Sequence, residues 1–171
     1  MMRKIDNESA NNSVVPLLSQ NISIVEVGAH SQTFEKFIDF VGVKTLIITD
    51  IDSCYRKVMY GDDHITPKKY RNGNVKETIV RCVPDDPLAT HITNNSLLFF
   101  HGKQSADLAY FRGLTNINQK ILIKSQTLGW LLDANGTMLL VFQTSQNGYH
   151  ARSFEDSFFS ISLMLIAFIT T

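Results

Sequence analysis

The chain has 171 residues, of which 44% are hydrophobic and 19% charged, so it is long and apolar enough to form a globular domain. Its 16 basic and 16 acidic residues balance, which excludes an overall positive charge as the basis of nucleic-acid binding. A local basic patch remains, with Lys68, Lys69 and Arg71 close together and Arg81 after them. A solvated loop is the simpler interpretation of that patch.

The two ends and the cysteines carry little functional signal. Residues 1–20 are polar, and we expect a flexible lead. Residues 158–171 are strongly apolar but number only 14, whereas a helix that crosses a bilayer takes about 20. Cys54 and Cys82 have no metal-binding spacing, and with no signal peptide visible they predict free thiols in a cytoplasmic protein.

The first half of the chain predicts a βαβ unit. Residues 21–28 alternate and then run apolar, which predicts a strand with Glu26 near its end. Residues 30–41 place apolar side chains at helical spacing, and Gly42 follows as a C-cap. The unbroken apolar run in residues 44–52 then predicts a strand buried on both faces of a parallel sheet.

The middle of the chain is rich in turn-forming residues. Residues 53–95 therefore predict a long loop or insertion, with one short strand at 77–83. Residues 104–114 predict a helix.

The last third has clearer boundaries. Residues 119–132 are ambiguous, with a helix as the working prediction. Asn135 and Gly136 predict a tight turn, and residues 137–144 predict a strand after it. Ser153 is a predicted N-cap of a last helix, with Asp156 three residues on.

Three carboxylates fall at predicted strand ends. Ligands of open α/β sheets bind beyond the carboxyl ends of the strands, where Glu26, Asp50 and Asp52 are expected. Residues two apart in an extended chain share a face, so Asp50 and Asp52 would project together. A divalent cation would relieve their mutual repulsion, and oxygen ligands suit Mg²⁺. An Asp-x-Asp pair alone also fits a loop cap or turn.

The stretches that carry these acids resemble a known domain. "ISIVEVG", a helix and then "TLIITDIDS" are similar to the TOPRIM domain, and "THITNNSLL" and "GYHARSFEDSF" are similar to the OLD-family ATP-dependent endonucleases in particular. The resemblance spans roughly residues 20–160. It implies a TOPRIM-like α/β fold, with a mostly parallel sheet flanked by helices, over residues 21–160, and leaves 161–171 as an aberrant tail.

The resemblance also implies an activity and its residues. It implies a Mg²⁺- or Mn²⁺-dependent DNA endonuclease in which Glu26, Asp50 and Asp52 are catalytic and bind metal. Ser153 and Glu155 would complete a second metal position, although both residue types are also common at a helix N-terminus. DNA phosphates would be the bound partner, with a separate ATPase or full-length nuclease subunit and a homo-oligomer as further expectations, and no membrane.

The chain departs from the family pattern in three places. It lacks the second acidic residue that many members carry a few positions after the first glutamate, here Glu26. It has no Gly-x-x-x-x-Gly-Lys-Ser/Thr loop for ATP phosphates, and no lysine or arginine follows Arg152, where the family places a basic residue. We therefore expect a truncated fragment of such a nuclease. The alternative hypothesis is an inactive remnant or partner-binding module that keeps the fold. A primase- or topoisomerase-like module is a weaker third reading. Of the five histidines, only His150 lies close enough to the second acidic motif to test.

Overall fold

A computed structural model describes residues 21–158, and the predictions for residues 1–20 and 161–171 lie outside that range. The fold is mixed α/β, as the sequence predicts at the coarse level. Its helices are α1 (Glu35–Val41), α2 (Asn95–His101) and α3 (Leu108–Gly113), with 3-10 helices at Gly28–Phe34 and Ile117–Lys120. Its strands are β1 (Thr45–Ile48), β2 (Ser53–Val58), β3 (Glu77–Arg81), β4 (His91–Ile92), β5 (Ile121–Ser125), β6 (Gly129–Leu132) and β7 (Met138–Val141). Residues 154–158 are helical as well. Among the helices of this range, none is long and apolar enough to cross a bilayer.

The main sheet has four strands in the order β1-β7-β5-β6. β1 and β7 are parallel, with Ile48 in register with Val141, which confirms the parallel pairing expected for the strand before Asp50. β5 runs antiparallel to both β7 and β6. The sheet is therefore mixed, and the expectation of a mostly parallel sheet is wrong for the strands of residues 21–158.

The predicted strand at residues 21–28 is wrong. Residues 21–27 are irregular, and a 3-10 helix begins at Gly28. In the described part of the chain β1 pairs with β7 alone, and no strand lies beside this segment. Alternating apolar residues form a strand only where a neighbour satisfies the backbone. Without a partner strand, Ile24 is 70% exposed and the βαβ unit does not form.

The helix predicted at residues 30–41 is confirmed in position but not in its packing. A 3-10 turn leads into α1, and Gly42 ends it with φ of 64°, as the C-cap prediction requires. Of its apolar side chains only Ile38 packs against the core, and Phe40 is 89% exposed. Glu35, the first residue of α1, pairs with Lys124 of β5.

β1 itself is less covered than predicted. Ile47 is buried, but Leu46 and Ile48, on the opposite face, are 58% and 60% exposed. The expected burial on both faces is therefore wrong. The apolar run of this strand reflects one buried face and one open face.

Residues 121–132 form a β-hairpin rather than the predicted helix. Leu122 and Trp130 point into the core from facing strands, and Gly129 takes a left-handed φ of 79° at the end of the turn. The Ser125 hydroxyl accepts hydrogen bonds from the backbone of Thr127 and Leu128 at 3.3 Å and stabilises the turn. Pairing on both sides of β5 outweighs a local pattern that is equally compatible with a helix.

The predicted loop at residues 53–95 contains a second sheet of three strands, joined by turns and irregular segments. β2 is central, with β3 and β4 antiparallel on either side. The strand predicted at 77–83 is confirmed as β3, whereas β2 was missed. Cys54 and Cys82 are both free, as predicted.

The core lies where α2 and α3 pack on the main sheet. Phe100 of α2 meets Trp130 of β6 edge to face, with ring centroids 5.7 Å apart. Phe111 of α3 meets Phe142 in the same way at 5.9 Å. Trp130 and Phe100 are thus core residues, while Phe99 is 49% exposed. The core thus supports the sheet edge at which β1 and β7 end.

Candidate functional site

The candidate site lies at the carboxyl ends of the parallel strands β1 and β7. Since Ile48 is in register with Val141, the residues two positions beyond them, Asp50 and Gln143, leave the sheet side by side. The backbone N–H of Thr49 still donates to Val141 O, at 3.0 Å, so the pairing continues past the last strand residue.

Asp50 is held by two donors on one oxygen. Gln143 Nε2 donates to Asp50 Oδ1 at 2.7 Å, and the backbone N–H of Phe154 donates to the same atom at 2.9 Å. Gln143 Oε1 also accepts from the backbone N–H of Ile51 at 3.0 Å. No donor from residues 21–158 reaches Asp50 Oδ2. One carboxylate oxygen is therefore fixed by two protein donors.

Asn94 braces the same loop from the opposite side. Its Nδ2 donates to Thr49 Oγ1 at 2.7 Å and to the backbone O of Asp50 at 2.8 Å. Its Oδ1 caps α2 by accepting from the N–H of Leu97 at 3.1 Å. Asn94 is 1% exposed, so these bonds are made in the protein interior. The position of the Asp50 backbone is thus coupled to the start of α2.

Asp52 lies next to a cation and in an unusual backbone conformation. Its φ is 50°, a left-handed value that departs from the extended chain on which the sequence prediction relied. Arg152 Nη1 lies 3.3 Å from Asp52 Oδ1. Burial raises the pKa of Asp52 and the Asp50 charge raises it further, while Arg152 and Arg81 partly oppose the rise. The two acids are thus close enough to interact electrostatically.

The second acidic motif begins a helix against Asp50. Ser153 is buried, and its Oγ accepts from the N–H of Asp156 at 3.3 Å, which confirms it as an N-cap. Glu155 is exposed. Hydrogen bonds from its own N–H and from the Ser153 hydroxyl hold the pKa of Glu155 below its usual range. Capping accounts for Ser153, and its role as a metal ligand stays a prediction.

Glu26 does not join the other acids. It is exposed in the irregular segment before Gly28, because the strand that was to place it does not form. Across residues 21–158, no three His, Cys, Asp or Glu side chains form a group that could hold a metal ion. The predicted trio of Glu26, Asp50 and Asp52 is therefore not assembled in the described part of the chain, and the roles of the single residues stay predictions.

A buried polar layer supports Gln143. His150 Nε2 lies 3.0 Å from Gln143 O, and burial lowers the pKa of this histidine. Lys120 Nζ donates to Phe142 O at 3.2 Å and lies 3.9 Å from the centre of the Phe142 ring. Burial lowers the pKa of Lys120 to about 8. His150 therefore contacts the candidate site only through the backbone carbonyl of Gln143 among the contacts described.

The sequence interpretation missed Gln143 and Asn94. Gln143 could have been found by the rule already applied to Asp50, since both follow parallel strands by two residues. Asn94 lies in the "THITNNSLL" stretch, where an asparagine is a residue type common at helix N-caps. Its two donors reach residues 44 and 45 positions away in the chain. Contacts at that range have no local sequence signal.

The oxygen donors fit one hard divalent cation. Asp50 Oδ2 and the Asp52 carboxylate are hard oxygen ligands, and Mg²⁺ commonly uses one or two carboxylates together with waters and substrate phosphates. Binding of Mg²⁺ or Mn²⁺ by these two carboxylates stays a prediction. Cys54 is buried within β2 and Cys82 lies directly after β3, and soft thiolates are not the ligands that Mg²⁺ prefers.

Comparison with known proteins adds no relative. The chain matches no protein-family model, no curated protein and no solved structure.

Proposed function

We propose that the chain is a TOPRIM-like, divalent-metal-dependent DNA endonuclease domain of the OLD-family type. The observation that supports this proposal is the pair Asp50 and Asp52 at the carboxyl edge of the parallel strands, with Asp50 oriented by Gln143 and the Phe154 N–H. Preorganised carboxylates with a free oxygen are what a Mg²⁺-dependent phosphodiesterase needs.

Each residue of the site has a separate proposed role. Asp50 and Asp52 hold the cation, and Gln143 fixes the orientation of Asp50. When bound, divalent ions activate a water for attack on phosphorus and stabilise the leaving oxygen of the broken P–O bond. Arg152, at 3.3 Å from Asp52, limits the repulsion between the acids before a cation arrives. Glu26 and Glu155 are proposed further ligands, and Glu26 would have to approach from its exposed segment.

The partners proposed with this activity are DNA phosphates and a separate ATPase or full-length nuclease subunit. The homo-oligomer expected from the resemblance belongs to the same proposal. The DNA phosphate would be the substrate, and a protein partner would supply a further cationic side chain for the transition state.

The competing proposal is a partner-binding module that does not cleave DNA. Two observations favour it: Arg152 already neutralises Asp52, and apolar side chains of α1 and β1 are exposed. Phe37 and Phe40 are 62% and 89% exposed, and contiguous exposed apolar residues are typical of protein-binding surfaces.

Plasmid nicking separates the two proposals. The purified chain is incubated with supercoiled plasmid and Mn²⁺ beside Asp50→Asn and Asp50→Ala. The asparagine variant keeps an acceptor oxygen for Gln143 and Phe154 but loses the charge that a cation needs. The nuclease proposal expects nicking by the wild type and loss of at least about tenfold in both variants.

Asp39→Asn is the matched control, because Asp39 is an exposed acid of α1 outside the site. Equal background nicking by all four proteins would reject the nuclease and leave the binding module. Calorimetric titration with Mg²⁺ then reports whether Asp50→Asn removes a binding event that the wild type shows.

A further inference from the structure

The positive charge of this neutral chain is concentrated in one structural unit, residues 53–81, which we call the basic arm. The arm consists of β2, β3 and the segment between them. It carries seven of the 16 lysine and arginine residues but only three of the 16 acidic ones, Asp62, Asp63 and Glu77. Its formal charge of +4 in a chain of net charge zero requires the rest of the chain to be acidic. Such asymmetry is typical of a surface that meets a polyanion.

The arm has a defined hydrogen-bonding pattern, although Lys68, Lys69 and Arg71 lie in the exposed segment between its strands, as the solvated-loop interpretation expects. β2 and β3 pair over five residues, and the pairing continues as Met59 N–H donates to Lys76 O at 2.9 Å. Two inner bridges, Tyr60 with Pro67 and Lys69 with Val75, close the two turns at its tip. The basic side chains of the tip are therefore presented from a defined backbone.

One acid of the arm, Asp63, accepts hydrogen bonds from other residues of the arm. Asp63 Oδ1 accepts from the backbone N–H of Ile65 at 3.1 Å and of Thr66 at 3.0 Å. These bonds hold the pKa of Asp63 below its usual range, with the Thr66 hydroxyl bond as the largest cause. The carboxylate of Asp63 stabilises the turn through these hydrogen bonds, so it does not form ion pairs that would offset the charge of Lys68 and Lys69.

A groove runs along one side of the arm. Its volume is about 430 Å³, and it is lined by Arg56, Tyr70, Asn72, Asn74, Val75 and Glu77. Tyr70 is 54% exposed, and Lys76 Nζ lies 5.1 Å from the centre of its ring. Glu77 is paired with Arg56 at 3.6 Å. The groove thus combines an exposed aromatic ring and amide groups with one cation, Arg56, which Glu77 pairs. An exposed ring beside basic side chains is a feature used to bind single-stranded nucleic acid.

The arm also connects directly to the candidate site. β2 begins at Ser53, the residue after Asp52, and Ser53 Oγ donates to Cys82 O at 2.6 Å across the arm's root. A strand bound along the arm would therefore run toward the two acids.

We propose that the basic arm binds single-stranded nucleic acid, with phosphates at Lys68, Lys69 and Arg71 and a base stacked on Tyr70. The phosphate contacts supply affinity without sequence preference, and the ring supplies stacking that any base can use. The inference rests on the proposed function in that the bound polymer is taken as the substrate of the Asp50 site. Binding is measured apart from cleavage.

The test is fluorescence anisotropy with labelled oligothymidylate, oligouridylate and a DNA duplex in EDTA, titrated across NaCl concentrations. Lys69→Gln/Arg71→Gln is compared with Lys36→Gln/Lys44→Gln, which removes the same charge from exposed lysines outside the arm. The arm variant is expected to lose about tenfold or more in affinity. Its slope of log K against log salt should fall by about 1.4, since each phosphate contact to a single strand contributes about 0.7. The control pair should keep the wild-type slope.

A second variant tests the groove. Tyr70→Leu should weaken oligothymidylate binding about fivefold or more with an unchanged salt slope, because it removes stacking and no charge. Comparison of oligothymidylate with oligouridylate identifies DNA or RNA as the tighter ligand. Tighter duplex than single-strand binding, or anionic vesicles bound in place of oligonucleotides, would overturn the proposal. Equal weakening by both double variants would also overturn it, since that result indicates diffuse charge attraction.

The outcome is separable from the nuclease proposal. If Asp50→Asn still binds the oligonucleotide and none of the proteins nicks plasmid, the nuclease proposal is rejected and the proposal for the basic arm stands. If Lys69→Gln/Arg71→Gln nicks plasmid at the wild-type rate and binds oligothymidylate with the wild-type affinity, the proposal for the basic arm is rejected and the nuclease proposal stands.

Discussion

Gln143 bridges Asp50 and the backbone beside it: Nε2 lies 2.7 Å from Asp50 Oδ1, and Oε1 lies 3.0 Å from Ile51 N. Asp50 and Gln143 are 93 residues apart in the chain. One amide therefore joins the ends of the two parallel strands at the candidate site, and it orients the carboxylate that the proposed chemistry needs.

Gln143→Ala removes both hydrogen bonds of this bridge. We expect the free energy of unfolding to fall by about 1–3 kcal/mol, because an acceptor and an N–H lose their partner together. Urea unfolding measures the change. Gln126→Ala, at an exposed position of the β5–β6 turn, is the control and should change it by less than about 0.5 kcal/mol. Equal losses in the two variants would contradict the bridge.

Asn94→Ala removes a helix cap and two interior hydrogen bonds at once. We expect a loss of at least about 2 kcal/mol, because the cap contributes about 1 kcal/mol and an unpaired buried carbonyl costs about 1–3 kcal/mol. Asn95→Ala is the neighbouring control, since Asn95 is exposed at the first residue of α2. Thermal unfolding followed by circular dichroism compares the two. A loss confined to Asn95→Ala would show that the capping role is assigned to the wrong residue.

Because of His101, we expect the free energy of unfolding to fall in mild acid. Burial, with the charges of Lys103 and Lys120, lowers the pKa of His101 from 6.5 to about 4. A base whose pKa is lower in the folded state stabilises that state fully above pH 6.5, and the contribution is lost as the pH falls toward 4. The expected loss is roughly 3 kcal/mol, since one pKa unit corresponds to about 1.4 kcal/mol.

His101→Phe should remove this part of the pH dependence. Urea unfolding across that pH range should give a shallower decline in the variant than in the wild type. The aromatic contact with Phe111 can be kept, whereas the Tyr110 hydroxyl, 3.1 Å from His101 Nδ1, loses a partner. His30→Phe, at an exposed histidine, should retain the wild-type slope. A wild-type slope in His101→Phe would refute the assignment.

Gly136 is required by a close backbone approach. A Cβ atom there would lie 2.2 Å from Leu122 O, and the backbone of β5 is fixed between two strands. We expect Gly136→Ala to cost about 1–3 kcal/mol in urea unfolding. Gly113→Ala is the matched control, because nothing lies within 4 Å of its added Cβ, and it should be neutral or slightly stabilising. Two similar values would contradict the close approach.

Features that depend on neighbouring residues were predictable. The C-cap at Gly42, the N-cap at Ser153 and the turn at Gly136 follow from short-range geometry that each residue type allows. The strand before Asp50 was also predictable. A short apolar run of about four to eight residues is the usual length of a strand and is too short for most helices. Even so, Gly136 serves a close contact with β5, which the dipeptide alone does not reveal.

Features that depend on pairing were not predictable. Residues 21–28 alternate as a strand does, yet no strand of the described range pairs with them. Residues 121–132 fit a helix by periodicity, yet β5 is held between β7 and β6. A hydrogen bond between strands is a property of two distant segments, so one segment's pattern cannot specify it.

The sequence by itself determined that two acids follow the buried residue Ile47 at the end of a strand, and that Ser153 begins a helix. Only the tertiary structure decided that Gln143 and Asn94 hold that loop, that Glu26 lies apart from it, and that residues 53–81 form an ordered basic arm. The physical reason is the range of the interactions. Caps and turns are made within four residues, whereas the contacts that orient Asp50 join chain segments 44 to 104 positions apart.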